Sequence, residues 1–361
     1  MPKLLGLTQS GYCPASRFRF IQMIPHLENA GWNVDHRPNC PDRLWNSPLR
    51  WRPARGVHYR LGRGLMRINR ARDLLEARNF DVIYVGRDLA AEGPIFQRAF
   101  RHVMPKVVYD LDDAIFVGKR GEKMVRWLCQ NASWITPGND YIADYARQFN
   151  DRITIIPTVI DTDACAVRSY KNSEPSKILR VGWSGSDQSI TETLLPYLGM
   201  IYRLQQRVDF ELVVITNTKP KLPIPELHWR FVPWTHETEC VLESQFDIGI
   251  MPLKDDPFQK GKCALKLLQY MAAGLPTVAS PVGVNATVVQ HCQTGMLAKT
   301  ETEWHQALEF LISSPDARAT LGLAGRKRCE ADYSIKRWLP VMLQIFAKVR
   351  QENQLAELPN S

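Results

Sequence analysis

The sequence has eight cysteines, at 13, 40, 129, 165, 240, 263, 292 and 329, but no Cys-x-x-Cys pair and none of the close spacing of a disulfide or zinc framework. A reducing cytoplasm is the expected compartment. No apolar run approaches the ~18 residues of a spanning helix, and the opening MPKLLGLTQSG turns polar too soon for a signal h-region, so neither export by that route nor a membrane span is expected. The histidines show no paired spacing, and no metal ligand is assigned among them. Gly182, Gly185 and Ser186 do not complete Gly-x-Gly-x-x-Gly, and no acidic residue ends the next strand at the distance a nicotinamide ribose needs. That argues against a dinucleotide oxidoreductase. No repeat is visible at the sequence level.

What is present points to two α/β domains. A chain of 361 residues exceeds one ordinary core. In the first half, apolar strand segments at 4–8, 32–36, 82–85, 107–111, 134–136 and 153–156 alternate with helical stretches, among them 20–29, 68–78 and 141–148. Polar, aperiodic AVRSYKNSEPSK at 166–177 reads as a linker. Strands 178–184, 210–216, 229–234, 246–253 and 277–280 then follow, with helices at 191–206, 304–313, 315–332 and 334–350. This order predicts two doubly wound, mostly parallel sheets. The expected domains are 1–165 and 178–335, with 336–361 as a terminal helix.

Charge is divided unevenly between the halves. Residues 1–160 hold 24 Lys and Arg against 15 Asp and Glu, a balance of +9, while residues 161–361 hold 22 of each and cancel. Ten arginines lie between Arg43 and Arg78, interleaved with Trp45, Trp51 and Tyr59, against only Asp73 and Glu76. The segment reads either as ordinary solvated surface or as the footprint of an anionic partner, with an anionic membrane the favoured one. It contains no nucleic-acid reader motif, so nucleic acid is not an expected partner.

The stretch 256–285, DPFQKGKCALKLLQYMAAGLPTVASPVGVN, joins a buried strand to a helix, a second short strand and a second loop. Good helix formers run over 262–273, with Gly274 and Pro276 as the stop. On that reading Lys262, Lys266 and Gln269 share one face. Cations at a helix N-terminus are disfavoured by about 0.3–1 kcal/mol each and bound anions are favoured, so an anionic ligand would resolve the conflict; the plainer reading is a solvated pair of lysines. Gly283 allows backbone to approach a ligand, and Asn285 follows it at the head of another short helix.

In the first half, Asp110, Asp112 and Asp113 of DLDD end a strand. Three close carboxylates can hold a metal, exchange protons, bind hydroxyls or cap the next helix. The loop QSGYCPASRFR carries Gly11, Arg17 and Arg19, which read either as surface groups or as contacts to an anionic substrate.

The residues LLQYMAAGLPTVASPVGVN, then GMLAKTETEW and LGLAGRKRCEADYS, resemble the donor domain of retaining family 4 glycosyltransferases, and G-Y-x-P-x-S-R-F-R with VVYDLDDAIF resembles their acceptor domain. The resemblance implies the GT-B fold: two Rossmann-like domains facing a cleft, the last helix crossing back to the first. It implies metal- and cofactor-free transfer of a sugar from a nucleotide diphosphate sugar to a glycan or lipid-linked acceptor, with retention; cysteine usage and the basic first half add the expectation of a cytoplasmic enzyme that touches the membrane peripherally. Lys262, Lys266, Ala264, Gly185, Ser186, Gln269, Gly283 and Asn285 would bind the donor, with Lys266 also stabilising the leaving group. Gly11, Arg17, Arg19, Asp110 and Asp113 would lie on the acceptor side, with Asp112 as base. Relatives carry two glutamates eight positions apart, toward the donor sugar and the ribose; here those positions hold Gly261 and Gln269. Gln269 is expected to contact ribose and to tolerate replacement by Glu. The loss at Gly261 leaves a second reading, a non-catalytic nucleotide-sugar-binding or scaffolding protein.

Overall fold

The computed structural model describes residues 1–40, 52–87, 89, 94–170 and 178–357. It divides into two compact units, one comprising Met1–Thr158 with Trp338–Ser361 and the other Val159–Arg337.

The first unit runs β1 (Lys3–Thr8), α1 (Pro14–Arg19), α2 (Ile24–Asn29), β2 (Asn33–Pro38), α3 (Arg52–Ala77), β3 (Val82–Gly86), α4 (Pro94–Phe100), β4 (Val107–Leu111), α5 (Lys119–Asn131), β5 (Trp134–Pro137) and α6 (Asp140–Ala146). Its sheet is parallel, in the order β2-β1-β3-β4-β5. Strands covered on both faces lose the usual alternation, which is why VIYV and VVYDL are buried at every position. Residues 153–156, expected as a sixth strand, run beside β5 without forming a full strand: Ile153 bridges Ile135, and the amides of Thr154 and Ile156 donate at 3.0 Å to the carbonyls of Ile135 and Pro137, respectively.

The second unit runs β6 (Leu179–Ser184), α7 (Asp187–Thr193), α8 (Leu198–Gln205), β7 (Phe210–Thr216), β8 (Trp229–Pro233), α9 (His236–Cys240), α10 (Leu242–Gln245), β9 (Ile248–Met251), α11 (Pro257–Lys260), α12 (Leu265–Ala272), β10 (Thr277–Ala279), α13 (Asn285–Val288), β11 (Met296–Leu297), α14 (Glu301–Ser313) and α15 (Pro315–Asp332). The parallel order is β11-β10-β9-β6-β7-β8. Its core gathers Trp183, Phe210, Leu212, Val214, Ile250, Trp304 and Leu308. The two-residue strand β11 had no signal in the sequence, being too short to show a period. Of the expected linker, residues 166–170 are fastened to this unit: Arg168 pairs with buried Asp247 at 2.6 Å and the Tyr170 hydroxyl donates to the Gly274 carbonyl at 2.8 Å. Residues 171–177 lie outside the described ones.

The last helix, α16 (Ile335–Glu357), belongs to the first unit from Trp338 onward. Phe346 and Val349 are fully buried there, the Phe346 ring lies edge-on to Trp32 at 5.6 Å, Arg152 pairs with Glu352 at 2.5 Å, and the Asn353 amide donates to the Pro105 carbonyl at 2.8 Å. Among the described residues no helix is long and apolar enough to cross a membrane.

Candidate functional site

Open parallel sheets present ligand-binding loops at the carboxyl ends of their strands. In the second unit those ends gather most of the residues singled out above. The helix expected over 262–273 begins only at Leu265, because Ala264 turns left-handed at φ 54°. A non-glycine residue there costs about 1–2 kcal/mol, and such strain persists where the surroundings over-determine it; Ala264 is fully buried and its carbonyl accepts the Leu268 amide at 3.1 Å. Lys262 is therefore not on the helix. It precedes the turn, with its ammonium over the Phe258 ring at 5.1 Å. Lys266 does occupy the first helical turn, and its ammonium sits over the indole of Trp183 at 5.0 Å. Trp183 is the penultimate residue of β6, and the amide of the last, Ser184, donates to the Tyr270 hydroxyl at 2.9 Å, so α12 is tied to the end of β6 one turn below Lys266.

Gly283 and Asn285 are placed by packing. Gly283 has φ 54°, and a Cβ there would lie 2.5 Å from the Lys260 carbonyl oxygen, so only glycine lets the loop after β10 close on the loop after β9. Asn285 is fully buried and its amide donates to the Ser280 carbonyl at 3.2 Å, which makes it an internal strut of that loop. Ser186 is the N-cap of α7, accepting the Ser189 amide at 3.2 Å.

Gln269 is 8% exposed and its amide donates to Glu239 Oε1 at 2.8 Å. Glu239 escaped the sequence reading: it sits in α9, whose only sequence signal is the capping pair Thr235 and Thr238. This partner reverses the expectation for Gln269→Glu. The substitution sets two carboxylates side by side, and we expect it to lower stability by about 1–3 kcal/mol in urea unfolding at neutral pH. Adding Glu239→Gln should restore most of the loss; equal stability of the single variant and the wild type would show that the contact does not matter.

In the first unit, Thr8, Gln9, Ser16, Arg87, Asp110 and Asp112 line a small cavity at the ends of β1, β3 and β4. Arg19 and Asp110, expected to meet an acceptor, are instead spent on each other. The Arg19 guanidinium reaches Asp110 at 2.9 Å (Nε to Oδ2) and 2.5 Å (Nη2 to Oδ1), with side chains 4% and 2% exposed. It also donates to the carbonyls of Ile156 and Thr136, while the Thr136 hydroxyl donates to Asp110 at 2.8 Å. Arg19 is also helical: Pro14, read as a loop former, starts α1, where a missing N–H costs nothing. Arg17, on the same helix, has its guanidinium 5.1 Å from the Phe18 ring, and Gly11 lies in the turn before it. Asp113 pairs with Arg87 at 2.8 Å, and Arg87 is held at φ 66°. Among the described residues no group of three or more His, Cys, Asp or Glu side chains has an arrangement that could hold a metal ion.

Asp112 lies between these pairs in the sequence and lines the same cavity. Its pKa is pushed up to about 6, first by desolvation, against the lowering effect of Arg87 and with the help of Asp113. A carboxyl raised in the folded state favours folding while protonated, below its unfolded value near 4, and that stability is lost as pH rises through 6. Asp112→Asn should accordingly melt higher than the wild type at pH 7.5, by up to about 3 kcal/mol at 1.36 kcal/mol per unit, and no higher at pH 3.5. A difference that does not change with pH would refute the shift.

Two parallel sheets wound with helices, with these loops at their carboxyl ends, define a Rossmann-like pair of the GT-B kind. The comparisons agree on the fold. A sucrose-phosphate synthase from Thermosynechococcus elongatus superposes with a TM-score of 0.70 at 15% identity, over 98% of this chain and 100% of that one. The Anabaena protein HepE, in complex with UDP-glucose, gives 0.65 at 15% identity over 99% and 100%. WaaG, a glycosyltransferase involved in lipopolysaccharide biosynthesis, gives 0.61 at 14% over 92% and 96%. Residues 188–314, within the second unit, match the family model described as glycosyl transferases group 1. No curated protein matches the sequence.

Proposed function

We propose that the chain is a glycosyltransferase that moves a sugar from a nucleoside diphosphate sugar, bound by the second unit, to a glycan or lipid-linked acceptor bound by the first. The observation that carries this is Lys266 in the first turn of α12, a cation where the helix itself favours an anion, inside the segment that matches the group 1 model. A diphosphate there accepts from the ammonium and from amides at the helix start, and the same groups stabilise the charge that grows on the leaving diphosphate. The reaction needs neither metal nor cofactor on this reading, and configuration is retained. Lys262 and the backbone at Gly185 and Gly283 complete the donor side. Asp112, mostly ionised at neutral pH, takes the proton of the acceptor hydroxyl, with Arg87 holding its neighbour Asp113 in place.

The test is release of nucleoside diphosphate from UDP-, GDP- and dTDP-sugars by the purified chain, followed beside thermal melts. A donor present at 100 times its dissociation constant stabilises by about 2.7 kcal/mol. A shift without release or transfer supports the non-catalytic binder; no shift with any donor removes the assignment altogether.

The membrane contact falls to α3. Of the arginine-rich segment, Arg43 and Arg50 lie outside the described residues, as do the side chains of Arg52, Arg55, Arg60 and Arg63, and Arg70 is fully buried against Asp73 and the Thr8 carbonyl. On the remainder, Leu65, Ile68 and Leu75 are 41%, 68% and 73% exposed, and with Arg72 they follow a 3-4-3 spacing along one helical face. Exposed Arg67 and Arg78 flank it. Apolar side chains edged by arginine suit an anionic headgroup layer, where each basic residue contributes about 1 kcal/mol. The protein should pellet with phosphatidylserine vesicles at low salt, and Leu65, Ile68 and Leu75 changed together to Gln should stay in solution. Unchanged pelleting of that variant would move the contact elsewhere, and pelleting of neither would end the proposal.

A further inference from the structure

We propose that Trp183 is a positioning residue whose indole face fixes the Lys266 ammonium where the donor diphosphate is to sit, an inference that rests on the donor role of Lys266 given above. The indole is completely buried, part of the second unit's core, yet among the described residues its Nε1–H has no hydrogen-bond partner. Leaving a buried donor unsatisfied is unfavourable, and a phenylalanine or leucine would fill a core position without that cost. What tryptophan offers that they do not is the strongest π face for a cation. That face is in use: the Lys266 ammonium lies 5.0 Å from its ring centroid.

The geometry around the pair is set on both sides. The lysine backbone is fixed by α12, which the Tyr270 hydroxyl joins to the Ser184 amide immediately after Trp183. The indole is fixed by its neighbours, close enough that a Cβ at Gly185 would stand 2.6 Å from the far edge of the ring. Lysine otherwise carries a long, freely rotating stem, and its charge in a first helical turn is pushed outward by the helix dipole. The indole holds the ammonium near the helix end before any ligand arrives, so a diphosphate meets a cation already in position and less ordering is required on binding.

The experiment measures UDP affinity by calorimetry for the wild type, Trp183→Phe, Trp183→Leu, Lys266→Met and both double variants, with melting temperatures recorded alongside. Trp183→Leu is expected to weaken UDP binding roughly tenfold and Trp183→Phe about threefold, and both changes should shrink to less than about twofold once Lys266 is Met. Trp183→Phe should melt close to the wild type, so affinity and stability part company. The Lys266 side-chain methylene protons should show an upfield ring-current shift by NMR that disappears in Trp183→Leu. An affinity loss that persists undiminished in the Lys266→Met background makes the ring merely structural and overturns the proposal. So does unchanged affinity in Trp183→Leu. If the wild type binds none of UDP, GDP and dTDP, the donor reading itself falls, and the ring-current shift still reports whether the contact exists.

Discussion

Lys266→Met is expected to raise the dissociation constant for the donor nucleotide by about 10–100-fold and to lower kcat/KM by more, roughly 100–1000-fold. A charge-assisted hydrogen bond contributes about 1.5–3 kcal/mol, which sets the binding loss. The larger kinetic loss follows because charge on the leaving diphosphate is greatest in the transition state, where removal of one preorganised donor costs about 100–1000-fold. Lys262→Met should show a smaller fall, since Lys262 stands before the left-handed turn at Ala264 and off the helix end. The fold should be unaffected, as neither lysine side chain lies in the core. Steady-state kinetics with the donor that passes the release assay decide the matter. If Lys266→Met leaves both constants unchanged, the diphosphate binds elsewhere.

Arg19→Met should destabilise the chain by about 3–5 kcal/mol, seen as a fall in the urea midpoint of the transition that reports the first unit. Removing one member of a buried ion pair strands the other, and here Asp110 would keep the hydroxyls of Thr136 and Tyr84 but no cation, while the Ile156 carbonyl loses the Arg19 donor. The double variant Arg19→Met with Asp110→Leu should recover a large part of that loss, because a well-packed apolar pair at a buried site is often as stable as the ions it replaces. Sugar transfer by the double variant, once folded, should persist. Its complete loss with intact folding would return Arg19 and Asp110 to the chemistry and count against a structural role.

The strands were legible because parallel sheets bury both faces. Runs such as FELVVIT need no alternation to be recognised, and that strand is Phe210–Thr216 at both ends. The helix stop at Gly274, with φ 69°, was equally plain. Other features were hidden for identifiable reasons. Helix α3 extends from Arg52, not from 68, and Pro53, Gly56, Gly62 and Gly64 mask its propensity in the sequence. The left-handed Ala264 carries no local mark, since alanine is the best helix former and only its surroundings hold it outside the helix. Pairings such as Arg19 with Asp110, 91 residues apart, and Gln269 with Glu239, 30 apart, are made by the tertiary fold. A local pattern shows which residue types are available; it does not show which of them have already neutralised each other.

The placement of the last helix bears on how the chain is made. The first unit contains the N-terminal 158 residues yet completes its core with Phe346 and Val349, after the 179 residues from 159 to 337 that form the other unit. At about 5–20 residues per second, a ribosome needs roughly 10–35 s to traverse that interval. Throughout it the surface that Phe346 and Val349 will cover, around Trp32, emerges without its lid. The second unit has all its strands in hand by residue 297 and can close while still attached to the ribosome. The N-terminal unit is thus the last to finish, and a released chain truncated after residue 337 should have it protease-sensitive beside a resistant second unit.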